Sequence, residues 1–568
     1  MSDGPRITIV GGGLAGMTAA LRLAEQGYRV KLYEQKSMLG GNLASRKLAT
    51  GGIVDVYPHM YLGWYKNFWR MMKDVGVSTD NFTPFTSVKQ LARGAFPHFT
   101  ALQNGYTLRQ ILENVSSGVG PPEDMFIFGY ASIDLLAELM NPTVRLQNMS
   151  LSGFLNARPY MTDVAAEAYE TYITRVWAIP AYLVSAKDCR TYLRYCFAEA
   201  NPEAWLARGP AASAVIAPLE AALESAGVEI ELSVEVTEVT RAGDRVSDLR
   251  LRHTKFDPAS YRWLPTGEAW TETVDDLLLA VPAPTLARLV RGGKRGTRVV
   301  EVDEDLSELA RMRTQRVPIL HLFFKKKLEK IPAEPVGLFG SKLNLAFTDI
   351  SQTWRGVPEF TGKTVLAISC SEPYVLTGAH PNDNGHEILL ELAEYLNFQP
   401  GTEWRESPDI DWTHTRYHEN FDTELSLNAI GTDAWRPSAM SEEVSNLYFA
   451  GDFCIQDIGL STIEAAVASG LEAVNAIVRR RNVGSAIEVL KPDRLPDSLY
   501  VGLRYAWGPY AMAAKGLSMI NSRGRQKRPS SASGDATGSK QAASKGAESL
   551  LTYLLTPGLP ARGQRRDS

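Results

Sequence analysis

Arg6-Ile7-Thr8-Ile9-Val10-Gly11-Gly12-Gly13-Leu14-Ala15-Gly16 joins a short β-rich run to a glycine cluster and then to a helical pattern from Leu14 to Gln26. In this Gly-x-Gly-x-x-Gly spacing Gly11 permits a tight turn, Gly13 lets backbone approach a pyrophosphate, and Gly16 lets helix and strand pack closely. Leu14 and Ala15 open the helix, where free N–H groups and the positive end of the helix dipole favour phosphate. Gly27 stops the helix and Tyr28–Tyr33 forms the next strand. Glu34 ends that strand with Gln35 beside it, where a carboxylate can accept hydrogen bonds from a ribose diol. Strand, turn, helix, strand and acid stand in register, which predicts an α/β dinucleotide-binding unit.

Working outward, Leu39-Gly40-Gly41-Asn42-Leu43-Ala44-Ser45 follows the acid. Far downstream stand Asn446-Leu447-Tyr448-Phe449-Ala450-Gly451-Asp452-Phe453 and Ser461-Thr462-Ile463-Glu464-Ala465-Ala466-Val467-Ala468-Ser469-Gly470. Together these resemble the flavin amine oxidase and carotenoid desaturase superfamily. Its members carry a Gly-Gly-Arg-x-x-Ser-like loop, then a late strand ending in Ala-Gly-Asp before a helix. The resemblance implies FAD as cofactor, in a Rossmann-like domain assembled from discontinuous segments. It places Gly41, Asn42 and Leu43 along the flavin end, with Asn42 where Arg is usual and Arg46 displaced nearby. Gly451 and Asp452 should meet the ribityl chain, and the helix start at Thr462 and Ile463 should point N–H groups at the flavin pyrimidine. Ala465 stands where Gly is usual. Val234-Glu235-Val236 fits a third superfamily element, with Val236 as an adenine contact.

Val54-Asp55-Val56-Tyr57-Pro58-His59-Met60-Tyr61-Leu62-Gly63-Trp64-Tyr65-Lys66-Asn67-Phe68 is similar to a segment of phytoene and zeta-carotene desaturases, sharing His59, Gly63, Tyr65 and Asn67. This favours the desaturase-like branch and sets His59 and Met60 beside the flavin ring. Trp64, Tyr65, Phe68 and Trp69 recur at helical spacing and read as core packing, with a substrate wall as the alternative. No second glycine motif follows a strand, so no separate nicotinamide domain is expected. The substrate should reduce the flavin, and an external acceptor such as oxygen or a quinone should reoxidise it. The implied chemistry is hydride removal from a C–H bond of a hydrophobic, isoprenoid-like substrate. Oxidation of a C–N bond, as in flavin amine oxidases, is the alternative, and a lipid-binding escort without FAD is the third. The linear sequence names no catalytic residue.

The chain has 568 residues, enough for two or more domains. A net charge of −4 argues against a nucleic-acid partner. Cys189, Cys196, Cys370 and Cys454 lack metal-site spacing, so no metal is expected and reduced core thiols of a cytoplasmic protein are. No secretory signal and no long apolar run is seen. The expected FAD-binding segments are 1–75, 205–299 and 431–482, and within the second the runs Val228–Leu232, Val234–Val239 and Leu277–Val281 should return to the first sheet. An α+β substrate domain is inserted as 76–204, mainly helical, and 300–430, alternating short strands and loops. A C-terminal extension spans 483–568, disordered from about 523. Its aromatic segment Leu499–Tyr510 suits either packing on the body or peripheral contact with a membrane.

Overall fold

The computed structural model describes residues 4–47, 52–103, 108–138, 142–199, 204–257, 262–291, 294–295, 298–299 and 302–526. Its organising element is a five-stranded parallel sheet. The strand order is Glu229–Leu232, Arg29–Glu34, Arg6–Val10, Leu277–Leu279, Leu447–Phe449. Side chains alternate between faces, as strand geometry requires. Ile9, Leu32, Leu278 and Tyr448 face one apolar cluster; Val10, Tyr33, Leu277, Leu279, Leu447 and Phe449 face another. The first cluster is completed by the helices Leu14–Glu25 and Ile463–Arg481. The second is completed by a three-stranded antiparallel sheet, Val234–Ala242, Arg245–Asp257 and Arg262–Thr273. A parallel sheet needs both faces covered, and this one has them.

That arrangement corrects one expectation. Glu229–Leu232 and Leu277–Leu279 enter the first sheet, but Val234–Val239 does not. Ser233, at φ 58°, turns the chain out of the parallel sheet. Val234, Val236 and Val239 are then buried from above, as part of the cover.

A second sheet has seven strands. Its order is Arg416–His418, Ile319–Phe323, Val365–Cys370, Leu345–Asp349, Val336–Phe339, Ser87–Ala92, Thr100–Gln103. Ser87–Ala92 pairs in parallel with Val336–Phe339, so both inserted segments share one sheet. The segment 76–204 is therefore not helical throughout. Three strands precede its helices, which start at Leu108. The later segment also contains a helix, Pro381–Leu396, whose Ile388, Leu389 and Leu392 cover this sheet.

The C-terminal extension forms a helix, Asp497–Gln526, lying on the helix Pro122–Leu136. Tyr500 is fully buried and Trp507 stacks on Phe126 at 5.5 Å. The aromatic segment thus packs on the body along one side, while Tyr505 and Ile520 are exposed. The helix runs past residue 523 to Gln526, and the serine-rich stretch beyond lies outside the described residues. No helix among the described residues is long and apolar enough to cross a membrane.

Candidate functional site

The order of the parallel sheet reverses at Arg6–Val10, which opens a crevice at the carboxyl ends of its strands. A cavity of about 430 Å³ occupies it. The turn Gly11–Gly16 forms one wall. Gly11 has φ 109°, and a Cβ there would lie 2.2 Å from the Ala280 carbonyl oxygen. A Cβ on Gly16 would lie 2.0 Å from the Gly11 carbonyl oxygen. Gly16 is the one predicted site residue that does not line the cavity; it lets the helix sit against the strand. A Cβ on Gly13 would meet nothing closer than the Gly41 Cα at 4.0 Å. The space above Gly13 belongs to the cavity, which Gly11, Gly13, Leu14 and Ala15 line together.

Glu34 and Gln35 line the same cavity. The Glu34 carboxylate accepts from Gly12 N at 2.7 Å and Lys36 N at 2.9 Å. Burial pushes this carboxyl up despite Lys36 and the backbone donors. Each oxygen keeps a further lone pair for a diol. The loop Gly40–Leu43 is tied to the first turn by Gly40 N donating to Gly12 O at 2.8 Å. Gly41, Asn42 and Leu43 line the cavity, and Asn42 Nδ2 donates to Glu424 O at 3.2 Å. Arg46 turns away: its guanidinium bonds Asp422 and, at 3.0 Å, Asn420 Oδ1. The cation that does line the cavity here is Lys36, 3.4 Å from Asp422.

The remote segment supplies the facing wall. Gly451, Asp452, Thr462 and Ile463 all line the cavity. Gly451 N donates to Ser469 Oγ at 3.0 Å. A Cβ on Gly470 would lie 2.6 Å from the Ala15 carbonyl oxygen, so this glycine lets the two helices approach closely. Both helix N-termini consequently open on one space. Thr462 caps its helix by accepting from Ala465 N at 3.2 Å. Asp452 accepts from Ser426 Oγ at 3.2 Å, and burial raises its carboxyl to about 6, against the pull of Ser426 and Arg436. Val236 lines the cavity beside Glu235, which pairs with Arg288 at 3.0 Å.

A further wall combines His59, Met60, Leu62 and Tyr65 with Val176, Trp177 and Tyr192. Trp177 meets the Tyr192 ring edge-on at 5.5 Å. Burial lowers His59 to about 4, so its imidazole is neutral near pH 7. Arg175 also lines the cavity, donating to Gln90 Oε1 at 2.8 Å and to the Leu338 carbonyl. Burial lowers its guanidinium to about 10.

Sequence reasoning missed Lys36, Arg175, Trp177, Tyr192, Asp422 and Ser426. Lys36 had a signal, two residues after the acid. Arg175 and Trp177 come from the helix Asp163–Trp177, Tyr192 from Ala186–Ala198 and Ser426 from the strand Leu425–Ser426, and no linear spacing marks them or Asp422. All four cysteines are free and buried, and no cluster among the described residues could hold a metal. The site suits FAD. Two helix N-termini can meet phosphate and a reduced flavin ring, Glu34 can meet a ribose, and the space above Gly13 admits backbone contact.

The chain is similar to several known proteins. A zeta-carotene desaturase of Zea mays is 38% identical over 75 residues, a match spanning 13% of this chain and 13% of that protein. A 15-cis-phytoene desaturase of Synechococcus elongatus is 23% identical over 492 residues, covering 84% of this chain and 96% of that one. A carotenoid phi-ring synthase of Streptomyces griseus is 25% identical over 507 residues, covering 85% and 89%. Among solved structures, a putative protoporphyrinogen oxidase from Exiguobacterium aligns with a TM-score of 0.55 at 18% identity, over 84% of this chain and 99% of that one. Cyclohexylamine oxidase from Brevibacterium oxydans aligns at 0.53 and 13% identity, over 84% and 100%. These two structures share the fold. The family model for flavin containing amine oxidoreductases matches residues 14–478, and the chain belongs to that family.

Proposed function

We propose that the chain is an FAD-dependent dehydrogenase that removes a hydride from a C–H bond of an apolar, isoprenoid-like substrate, the neighbouring carbon losing a proton. The observation that carries this reading is the wall contributed by the helical segment. Val176, Trp177 and Tyr192 are apolar or aromatic, and the charged side chain beside them is a cation, Arg175. A polyene is accommodated by such a wall, whereas an ammonium substrate would face a like charge. The long matches to a phytoene desaturase and a carotenoid phi-ring synthase support the same class.

Bound FAD supplies the two-electron acceptor for C–H oxidation. The chain's own residues would hold and orient the partners. Gly13, Leu14 and Ala15 would receive the pyrophosphate, Glu34 the ribose, Val236 the adenine, and Asp452 the ribityl hydroxyls. The first turn at Thr462 and Ile463 would stabilise negative charge at the flavin pyrimidine. Trp177, Tyr192 and Met60 would align the polyene and keep water out. The electron pair would pass on to oxygen or a quinone.

The test is anaerobic reduction of the bound flavin, followed by its absorbance. Phytoene or zeta-carotene presented in lipid vesicles is expected to bleach the flavin, and putrescine or cyclohexylamine is not. Bleaching by an amine alone would move the chain to C–N oxidation. A purified protein that is colourless and takes up no added FAD would leave only a lipid-binding role.

A further inference from the structure

Behind His59 lies a second, smaller cavity of about 30 Å³. Pro58 and His59 border both cavities, so the imidazole stands between them. The small chamber has polar residues in its lining. Asp55 ends the strand Ile53–Asp55 and Tyr61 opens the strand Tyr61–Leu62, with His59 on the link between them; His321 comes from the strand Ile319–Phe323, Thr348 from Leu345–Asp349, and Thr353 from the short helix Ile350–Thr353. Ile350, Trp354 and Ala367, with Leu206 and Ala207, complete the lining.

Three buried polar atoms at this chamber lack a hydrogen-bond partner among the described residues: His59 Nδ1, Tyr61 Oη and His321 Nδ1. Tyr61 and His321 are each 1% exposed. Buried polar atoms are nearly always satisfied, by protein or by ordered water. The volume holds roughly two water molecules. Asp55 is the natural terminus of such a chain of waters. Its Oδ1 already accepts from Ser45 Oγ at 2.6 Å and Ala211 N at 2.9 Å, which leaves Oδ2 unengaged.

We propose that this chamber holds water that carries the substrate's proton from His59 to Asp55. The proposal rests on the C–H oxidation reading above. One substrate C–H bond loses its hydrogen with the electron pair to FAD. The adjacent C–H bond loses its hydrogen as a proton to the cavity-facing nitrogen of His59, and its electron pair becomes the new π bond. His59 passes a proton through the chamber water to the Asp55 carboxylate. When a quinone takes the electron pair, the stored proton returns along the same path, so the quinone gains two electrons and two protons in all.

The electrostatics set the direction. Burial lowers His59 to about 4 and raises Asp55 to about 7, so a proton handed to the imidazole moves on to the carboxylate. His321, lowered to about 3 by burial with His418 and Arg46 beyond it, stays neutral and competes weakly. Tyr57 and Tyr61, both raised by burial, also stay neutral.

A high-resolution crystal structure of the flavin-loaded chain, paired with anaerobic flavin reduction by zeta-carotene across pH, tests this. Ordered water is expected within hydrogen-bond distance of Tyr61 Oη and His321 Nδ1. In the wild type the reduction rate should fall below about pH 7, as Asp55 becomes protonated. Asp55→Asn should retain flavin, slow reduction by about a hundredfold and flatten that limb of the pH profile. A purely structural role for Asp55 would leave the shape of the profile intact, and an intact profile overturns the relay. Should Asp55→Asn fail to fold, Ala367→Val carries the test. It narrows the chamber without removing a polar atom and should displace water and slow reduction at least tenfold. An unchanged rate in Ala367→Val overturns the relay. A dry chamber in an enzyme that zeta-carotene reduces overturns the relay alone. A hydrated chamber in an enzyme that no polyene reduces overturns the substrate reading, and the relay with it.

Discussion

Gly13→Val is expected to give a folded protein without flavin, and Gly16→Val a chain that does not reach the native fold. The two glycines stand three residues apart in one turn, yet their surroundings differ. Gly13 has φ −75° and ψ 176°, which a valine adopts readily. Its added Cβ would touch no atom within van der Waals distance except the Gly41 Cα at 4.0 Å. The branched side chain would instead fill cavity space between the first helix turn and the Gly40–Leu43 loop, where the pyrophosphate must lie. A loss of FAD affinity of at least a hundredfold is expected, read as flavin absorbance per protein, with the melting curve of the flavin-free protein nearly unchanged. At Gly16 the same atom would sit 2.0 Å from the Gly11 carbonyl oxygen, against backbone that cannot yield. Normal flavin content in Gly13→Val would contradict the placement of the cofactor.

Glu464→Ala should destabilise the fold strongly without touching the cofactor space. Glu464 is fully buried and turns away from the cavity, toward the helix Lys66–Asp74. Its Oε1 accepts from Asn67 N at 2.8 Å and Asn67 Nδ2 at 2.7 Å, and its Oε2 from Phe68 N at 2.9 Å. Tyr65, at the N-cap, makes no side-chain cap, so Glu464 caps this helix from nearly four hundred residues away. Asn67 in turn bonds Leu490 through both ends of its amide. Alanine would strand two buried backbone donors, a cost of roughly 3–5 kcal/mol together with the lost packing. Glu464→Gln should cost less, since one acceptor remains. The pH dependence has a defined sign. Burial outweighs the three hydrogen bonds and raises this carboxyl to about 7, above its unfolded value of about 4.3. The protonated form is therefore favoured by folding. Its contribution is complete below about pH 4.3 and is lost as pH rises through about 7. Chemical denaturation at pH 5 and pH 8 should show the wild-type advantage over Glu464→Gln shrinking at the higher pH.

The parts of this fold legible in the sequence were those fixed by local backbone chemistry. Gly11, Gly13 and Gly16 each have a separate steric task, and Glu34 follows at the distance that one helix and one strand impose. Ile9, Val10, Leu32 and Tyr33 show why those strands had to be central: both faces are buried. The remote half was legible only through resemblance. Nothing in Gly451, Asp452 and Ser469 taken alone says that they meet Gly13, and it takes the close passage of Gly470 over Ala15 to bring them there. Ser87–Ala92 escaped recognition as a strand because it buries Ser87 and Gln90 along with Leu91, which blurs the two-residue alternation. Val236 was placed on the cavity while its strand was assigned to the wrong sheet. Its valine pattern fits either sheet, and only the left-handed turn at Ser233 separates the two. Arg46 does not reach the cavity and Lys36 does, because Asp422 engages the guanidinium from another element.

A crystal structure of the chain purified with its flavin tests the central claim most directly. One FAD per chain is predicted, with its pyrophosphate over Gly13 and Leu14, its adenine beside Val236, and its isoalloxazine ring between Thr462 and His59. An FAD bound elsewhere, or one that touches the Gly11–Gly16 turn while Asp452 and Thr462 contact no part of it, would contradict the account.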